Sequence, residues 1–279
     1  MSSVKEAMPR KKGKNFFHLK RKYLCIPYGV FLAIFVIIPI LLIVWYAFTN
    51  EAGMPSFEAA ISFFTTPSKW SVLLVSLFLG IQTTLICLLL GYPAAMFLAN
   101  KKLNTNGILV VLFIMPMWIN FVLRTTATRS ILFAINLTGG NYPYLATLIG
   151  MVYNYLPFVI LPLYTTMLKL DKSQIEASAD LGANPIQVFT RNILPQSIPG
   201  IVSAVTMTLV PVMSSYVISD ALSEGNITLI GNSIYINFAN YQWNNGSFMA
   251  FMLLILVLLS MIMTRKAGDN EATARGGLW

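Results

Sequence analysis

Six stretches of this chain carry no Asp, Glu, Lys or Arg: Tyr23 to Asn50, Trp70 to Asn100, Leu103 to Leu123, Ser130 to Leu168, Asn192 to Ser219 and Gly225 to Thr264. Each can hold the roughly 20 apolar residues that cross a bilayer as a helix. Inside hydrocarbon every backbone N–H and C=O must be bonded within the protein, so runs of this length are restricted to helices. The rest of the composition agrees: 56% of the residues are hydrophobic, 10% are charged and the mean hydropathy is +0.69, too apolar for a soluble domain of 279 residues. The fold predicted is all-α, a polytopic membrane protein with six transmembrane helices at 24–48, 71–99, 107–123, 145–168, 198–219 and 247–264. A basic tail at 1–22 precedes a membrane domain at 23–265, and a second tail follows at 266–279.

Short loops rich in Lys and Arg stay on the cytoplasmic side. Lys5, Arg10, Lys11, Lys12, Lys14, Lys20, Arg21 and Lys22 precede the first span, Lys101 and Lys102 follow the second, Lys169, Lys172 and Arg191 follow the fourth, and Arg265, Lys266 and Arg275 follow the sixth. Lys69, Arg124 and Arg129 fall on the other face. Both termini and the segment Asp171–Pro199 are therefore expected on the cytoplasmic side. The net charge of +9 lies mostly just before the first span, where topology and anionic lipid account for it without nucleic acid. That span is too long for a cleaved signal peptide and lacks a small-residue cleavage site after it, so it is expected to remain as an anchor. Cys25 and Cys87 fall within spans and read as packing residues. His18, the one histidine, has no Cys, His or carboxylate at ligand spacing, so neither a metal site nor a histidine-based catalytic arrangement is available.

Pro39, Pro93, Pro116, Pro157, Pro162 and Pro211 interrupt the apolar runs, either as hinges of a gated path or as kinks that neighbouring helices tolerate. Gly80, Gly91 and Gly150, with Ala94, Ala95 and Ala99, allow close helix approach. Trp45, Trp70 and Trp243 lie near span ends, where indole rings settle at the headgroup level. Trp118 differs, lying inside the third span beside Asn120 and ahead of Arg124, where polar groups must face protein or water. Glu51, Glu58, Asp220 and Glu224 are the acidic residues of the outer side; Glu224 and Asp220 are either cation attractors or solvated charges paired with Arg124 or Arg129. The run between Gly225 and Gly246 is apolar but studded with Asn, and is expected to lie against or dip between helices on the outer side.

The segment Asp171–Pro199 is polar between two membrane-grade runs. Ser173 and Glu176 have the S-x-x-E spacing of a capping box, so a short helix is expected to start there. Gly182 permits a left-handed turn, and Asn184-Pro185 offers a second helix start. Ile186, Val188, Phe189, Ile193 and Leu194 give that second helix an apolar side, and Pro195 with Pro199 is expected to end it. A capped two-helix elbow points to docking in the groove of another protein.

The run EASADLG from Glu176 to Gly182, followed by Leu194-Pro195, resembles the EAA loop of type I ABC importer permeases. Ser178 stands where that pattern has its second Ala, and Asn192 stands where it has an apolar residue. LGYPAAMFLA (90–99), PMWINFVLR (116–124), LPFVILPLY (156–164) and LIGN (229–232) extend the resemblance to PotB-type spermidine/putrescine permeases. The resemblance implies that the loop inserts into a cytoplasmic ABC ATPase dimer, with Glu176, Ala177, Gly182, Leu194 and Pro195 as coupling residues. It also implies a second, PotC-like permease and an extracytoplasmic polyamine-binding protein. No cofactor is expected in this chain; ATP and Mg belong to the partner, and the sequence contains no G-x-x-x-x-G-K-[ST] loop of its own. A polyamine path should join carboxylates with aromatic faces, which makes Trp118, Tyr216 and Asp220 candidates for its lining, and Arg124 with Glu224 candidates for an outer gate. The same architecture importing ferric ion, molybdate or an osmolyte is the nearest alternative. An intramembrane enzyme would need paired carboxylates or a Ser–His pair in the spans, and a secondary transporter a carboxylate near the midplane; the six predicted spans supply neither.

Overall fold

The structure is a computed structural model that describes residues 25–100, 103–104 and 107–276, with side chains from 26 to 262. The basic tail with His18, the pair Lys101 and Lys102, and the side chains of Cys25, Arg265, Lys266 and Arg275 lie outside what is described. The chain divides into two units, Met1–Ile43 and Val44–Trp279. Among the described residues five helices are long and apolar enough to cross a membrane, six if a bent pair counts as one.

The first unit holds helix α1 (Cys25–Leu32), a wide π turn (Ala33–Ile37) and the start of α2 (Ile38–Ala47). Ile38 donates its N–H to the carbonyl of Ala33, five residues back. Pro39 follows at once: its ring would strike the carbonyl four residues before it, and the widened turn makes room.

The second unit is built on three long helices, α4 (Pro67–Ala99), α7 (Pro143–Met167) and α10 (Leu194–Ser214), which pack mutually. Leu79, Met151 and Val212 are fully buried in one core between them, and Cys87, Val159, Leu163 and Ala204 in another. Gly80 and Gly91 lie where α4 meets Met213 and Val159, so the small residues do mark close contacts. Pro93, Pro157, Pro162, Pro199 and Pro211 all sit inside unbroken helices. Pro93, Pro157, Pro162 and Pro211, weighed as hinges or as tolerated kinks, leave their helices continuous, and Pro199, expected to end the second short helix, lies inside α10. Before α4 comes α3 (Glu58–Thr65), whose Phe63 packs with Ala47, Phe248 and Met249.

Three expectations about the spans need correction. The third is not a straight helix over 107–123: α5 (Ile108–Ile114) passes through a 3-10 turn (Met115–Trp118), and α6 (Phe121–Ala134) leaves at 96° to it. Pro116 falls in that turn, and Asn120 caps α6 by accepting the N–H of Val122 at 2.8 Å. The fifth span ends at Ser214 rather than 219, and α11 (Tyr216–Ser223) is a separate helix. The last helix, α13 (Trp243–Gly276), starts earlier than 247 and continues through much of the expected tail.

Between α11 and α13 the Asn-rich run forms α12 (Ile230–Ala239), packed on α13 and also touching α4, α10 and α11. Leu229 and Ile230 are fully buried, and the Ile230 N–H donates to Ser76 Oγ at 2.8 Å. A side chain at Gly231 would place its Cβ 2.4 Å from the Ser214 carbonyl oxygen, so only glycine lets α12 meet the end of α10. The segment does dip between helices, as its composition predicts.

Candidate functional site: a capped elbow and a cavity at a helix bend

The polar segment folds as two short helices, α8 (Lys172–Asp180) and α9 (Pro185–Val188), and a second π turn (Phe189–Ile193) that runs directly into α10. Its first cap differs from the expected capping box. Asp171, not Ser173, is the N-cap: its carboxylate accepts the Ser173 N–H at 3.0 Å and the Ser173 hydroxyl at 2.6 Å, leaving Glu176 exposed without a capping bond. A carboxylate two residues earlier outcompetes the serine hydroxyl as acceptor for the free N–H groups of the first turn. The bond from the Ser173 hydroxyl holds the Asp171 carboxyl below its ordinary value. A lowered value means the cap is present at neutral pH and is lost as pH falls through it.

The elbow itself forms as expected. Gly182 sits at φ +84 with open space where a Cβ would be. The Gly182 N–H donates to the Ala179 carbonyl and the Ala183 N–H to the Ser178 carbonyl, the paired bonds of a Schellman ending. Asn184 and Gln187 then exchange side-chain and backbone bonds at 2.8 and 3.0 Å, a complete capping box with Pro185 at the first helical position. Pro195 and Pro199 do not end this helix. The π turn opens the backbone ahead of Pro195, with the Leu194 N–H reaching the Phe189 carbonyl, and Leu194 and Pro195 begin α10.

At the tip, Leu181 is 89% and Ile186 73% exposed, while Glu176 and Ala177 are also exposed. Ser178, Leu181, Gln187, Arg191 and Asn192 surround a cavity of about 210 Å³. On the inner side Phe189 meets the Tyr92 ring edge-on at 5.7 Å, and the hydroxyls of Tyr92 and Ser197 lie 2.8 Å apart. The coupling candidates Glu176, Ala177, Gly182, Leu194 and Pro195 are thus brought onto one elbow with an apolar tip.

The second site lies where α6 leaves the bend. Arg124 is 7% exposed. Its Nε donates to Asn154 Oδ1 at 2.8 Å, its Nη1 to the Pro116 carbonyl at 2.9 Å and its Nη2 to the Asn154 carbonyl at 3.5 Å. The guanidinium also lies 5.8 Å from the centre of the Tyr153 ring. It therefore does not pair with Asp220 or Glu224 as supposed. At the break in the third span the Pro116 carbonyl accepts the Ile119 N–H at 3.2 Å, and Arg124 is its second donor. Arg124 and Asn154 form one wall of a cavity of about 390 Å³, Phe121, Tyr155 and Phe158 give it aromatic surface, and Met207, Pro211, Ser214 and Ser215 of α10 and its end close it.

Trp118, Tyr216 and Asp220 do not line this cavity. Trp118 is 84% exposed at the bend, Tyr216 stacks on Tyr235 at 5.2 Å, and Asp220 is exposed on α11. Glu224 pairs with Arg129 at 3.3 Å, not with Arg124, on an exposed surface. Asn154, Tyr155, Phe158 and Ser215 went unnoticed in the sequence because they sit in an apolar run with no charge to mark them. Elsewhere, Glu51 and Glu58 line a polar cavity of about 510 Å³ with Asn50, Asn244 and Asn245. Lys69 stands apart from those carboxylates, donating to Ser62 Oγ at 2.7 Å and Asn245 Oδ1 at 3.0 Å.

Residues 88–266, which contain both sites, match the family described as binding-protein-dependent transport system inner membrane component. The spermidine/putrescine transport system permease protein PotB of Escherichia coli (strain K12) is 33% identical over 85% of this chain and 93% of its own length. The Haemophilus influenzae protein of that name is also 33% identical, over 85% of this chain and 90% of its own. A PotB homolog of Mycoplasma genitalium is 29% identical over 78% and 80%. A chain of the bacterial alginate ABC transporter, crystallised with its alginate pentasaccharide-bound periplasmic protein, superposes with a TM-score of 0.70 over 87% of this chain and 91% of that one, at 12% identity, a likeness of fold alone. An all-helical membrane protein with this elbow, this bend and these relatives belongs to the family of binding-protein-dependent transport system inner membrane components.

Proposed function

We propose that this chain is a permease subunit of an ATP-driven importer of polyamines, spermidine or putrescine. The observation that carries the reading is the 33% identity to PotB over 85% of the chain. The elbow is read as cytoplasmic, with its exposed Leu181 and Ile186 seated in a groove of an ABC ATPase dimer that holds ATP and Mg. A second, PotC-like permease completes the path, and an extracytoplasmic binding protein delivers the substrate. The cavity beside Arg124 is this chain's share of that path. Trp118 and Asp220, exposed outside it, are read as an aromatic face and a carboxylate that the substrate meets on the way, with Tyr216, stacked on Tyr235, as a further aromatic face; the Arg129–Glu224 pair is the better placed outer latch.

One observation favours an anionic cargo such as molybdate: the wall of the cavity carries a guanidinium. Three of its N–H groups are already spent on Asn154 and Pro116, which makes it a brace before it is a ligand. Uptake of labelled spermidine, putrescine, molybdate, ferric ion and an osmolyte by vesicles carrying the complete complex decides between these. Saturable, ATP-dependent uptake of a polyamine is expected. Uptake of another of these solutes with none of either polyamine overturns the reading.

A further inference from the structure

Helix α8 buries none of its own side chains, so apolar packing does not fix its position. Side-chain amides do. Asn192, in the π turn, donates through Nδ2 to the Gln174 carbonyl at 2.8 Å and to Ser178 Oγ at 2.7 Å. Ser178 Oγ in turn donates to the same Gln174 carbonyl at 2.7 Å. Gln196, on the first turn of α10, donates to Asn192 Oδ1 and, at 3.4 Å, to Gln174 Oε1, while its own Oε1 accepts the Asp171 N–H at 3.1 Å. Every side-chain hydrogen bond that joins Asp171 and α8 to another segment, among the described residues, thus ends on Asn192 or Gln196. The two positions that depart from the EAA pattern, Ser178 and Asn192, are bonded to each other.

We propose that Asn192, with Ser178 and Gln196, is the positioning group that makes the elbow and α10 a single lever. A push on α8 from a docked partner then reaches Met207, Pro211 and Ser214 at the bend cavity through α10, rather than spending itself as rotation of a loosely held helix. The π turn is part of the device, because it joins α9 to α10 without a break and carries Asn192 on the side facing α8. This inference rests on reading the elbow as the docking element.

The intact complex, purified with its ATPase and reconstituted in vesicles, tests it through two readouts: the ATPase retained on purification, and the substrate moved per ATP hydrolysed. Asn192→Leu is expected to retain the ATPase while lowering the transport ratio about fivefold, the factor that corresponds to one ordinary hydrogen bond. Ser178→Ala should lower it less, because Asn192 keeps its bond to the Gln174 carbonyl, and Ser178→Thr should preserve it. The double variant should be no worse than Asn192→Leu alone, since both changes act on one cluster. A mere loss of folding would lower hydrolysis and transport together and leave the ratio unchanged. An unchanged ratio in Asn192→Leu at undiminished hydrolysis, an unchanged ratio in Ser178→Ala, or additive losses in the double variant, overturns the lever. Glu176→Lys is the separate control for docking: it should release the ATPase, and full retention of the ATPase in that variant removes the docking reading and the lever with it.

Discussion

Arg124 takes partners other than the carboxylates expected for it, Asp220 or Glu224. A charge at that depth must face protein or water, and in the structure it faces Asn154 and the Pro116 carbonyl beside the helix break. Arg124→Leu would leave the Asn154 amide oxygen without a donor and remove one of the two donors of the Pro116 carbonyl, which keeps the Ile119 N–H, at a cost of about 1–3 kcal/mol. Arg124→Lys should rescue little, because a single ammonium cannot span two acceptors as the guanidinium fork does. Thermal unfolding of the detergent-purified complex should show both losses, and equal stability of Arg124→Leu and the parent would remove the brace. The same charge bears on the cargo. An ammonium group about 6 Å from it, at an effective dielectric of about 20, is repelled by roughly 3 kcal/mol. A polyamine in this cavity therefore needs its amines kept to the far side or matched by carboxylates from the second permease chain.

At the scale of the element, both π turns end two residues before a proline, Pro39 and Pro195, and in both the N–H just ahead of the proline reaches five residues back. The repeated device explains why the expected helix stop at Pro195 does not occur: a widened turn removes the clash that would have broken the chain. Capping chemistry was legible at Gly182 and at Asn184-Pro185, where local bonds decide the outcome. It misled at Ser173, where Asp171 two residues earlier was the stronger acceptor. The bend after Pro116 was illegible as geometry because apolar content reports length and not direction; Asn120, a good N-cap in the middle of a predicted span, was the overlooked sign. The dip of the Asn-rich run was legible from its mixed composition, but its tight seat was not. Gly231→Ala tests that seat: a Cβ 2.4 Å from the Ser214 carbonyl oxygen must force the backbones apart, destabilising by about 1–3 kcal/mol. An unfolding midpoint equal to that of the parent would show that α12 can move away freely.

At the scale of the whole molecule, two sites on one long helix are the organising fact. The elbow continues into the first residues of α10, and the bend cavity is closed by its last ones. Five of the six expected spans were legible because the apolar runs are long and the charges few, and the sixth holds only if the bent pair is one span; how they bend and which of them meet depends on contacts that no single run contains. The bend itself has one more implication. Ile119 and Asn120 are exposed where the backbone is not helical, directly after the exposed Trp118, and lipid cannot satisfy such backbone. A chain made without its fellow subunits therefore presents to the bilayer a surface that only protein or water can cover, and should be recognised and degraded as an orphan. Pulse-chase measurement should find it short-lived when expressed alone and long-lived when its partner permease is made with it. The open bend would then set the cellular ratio of the subunits as well as the route of the cargo.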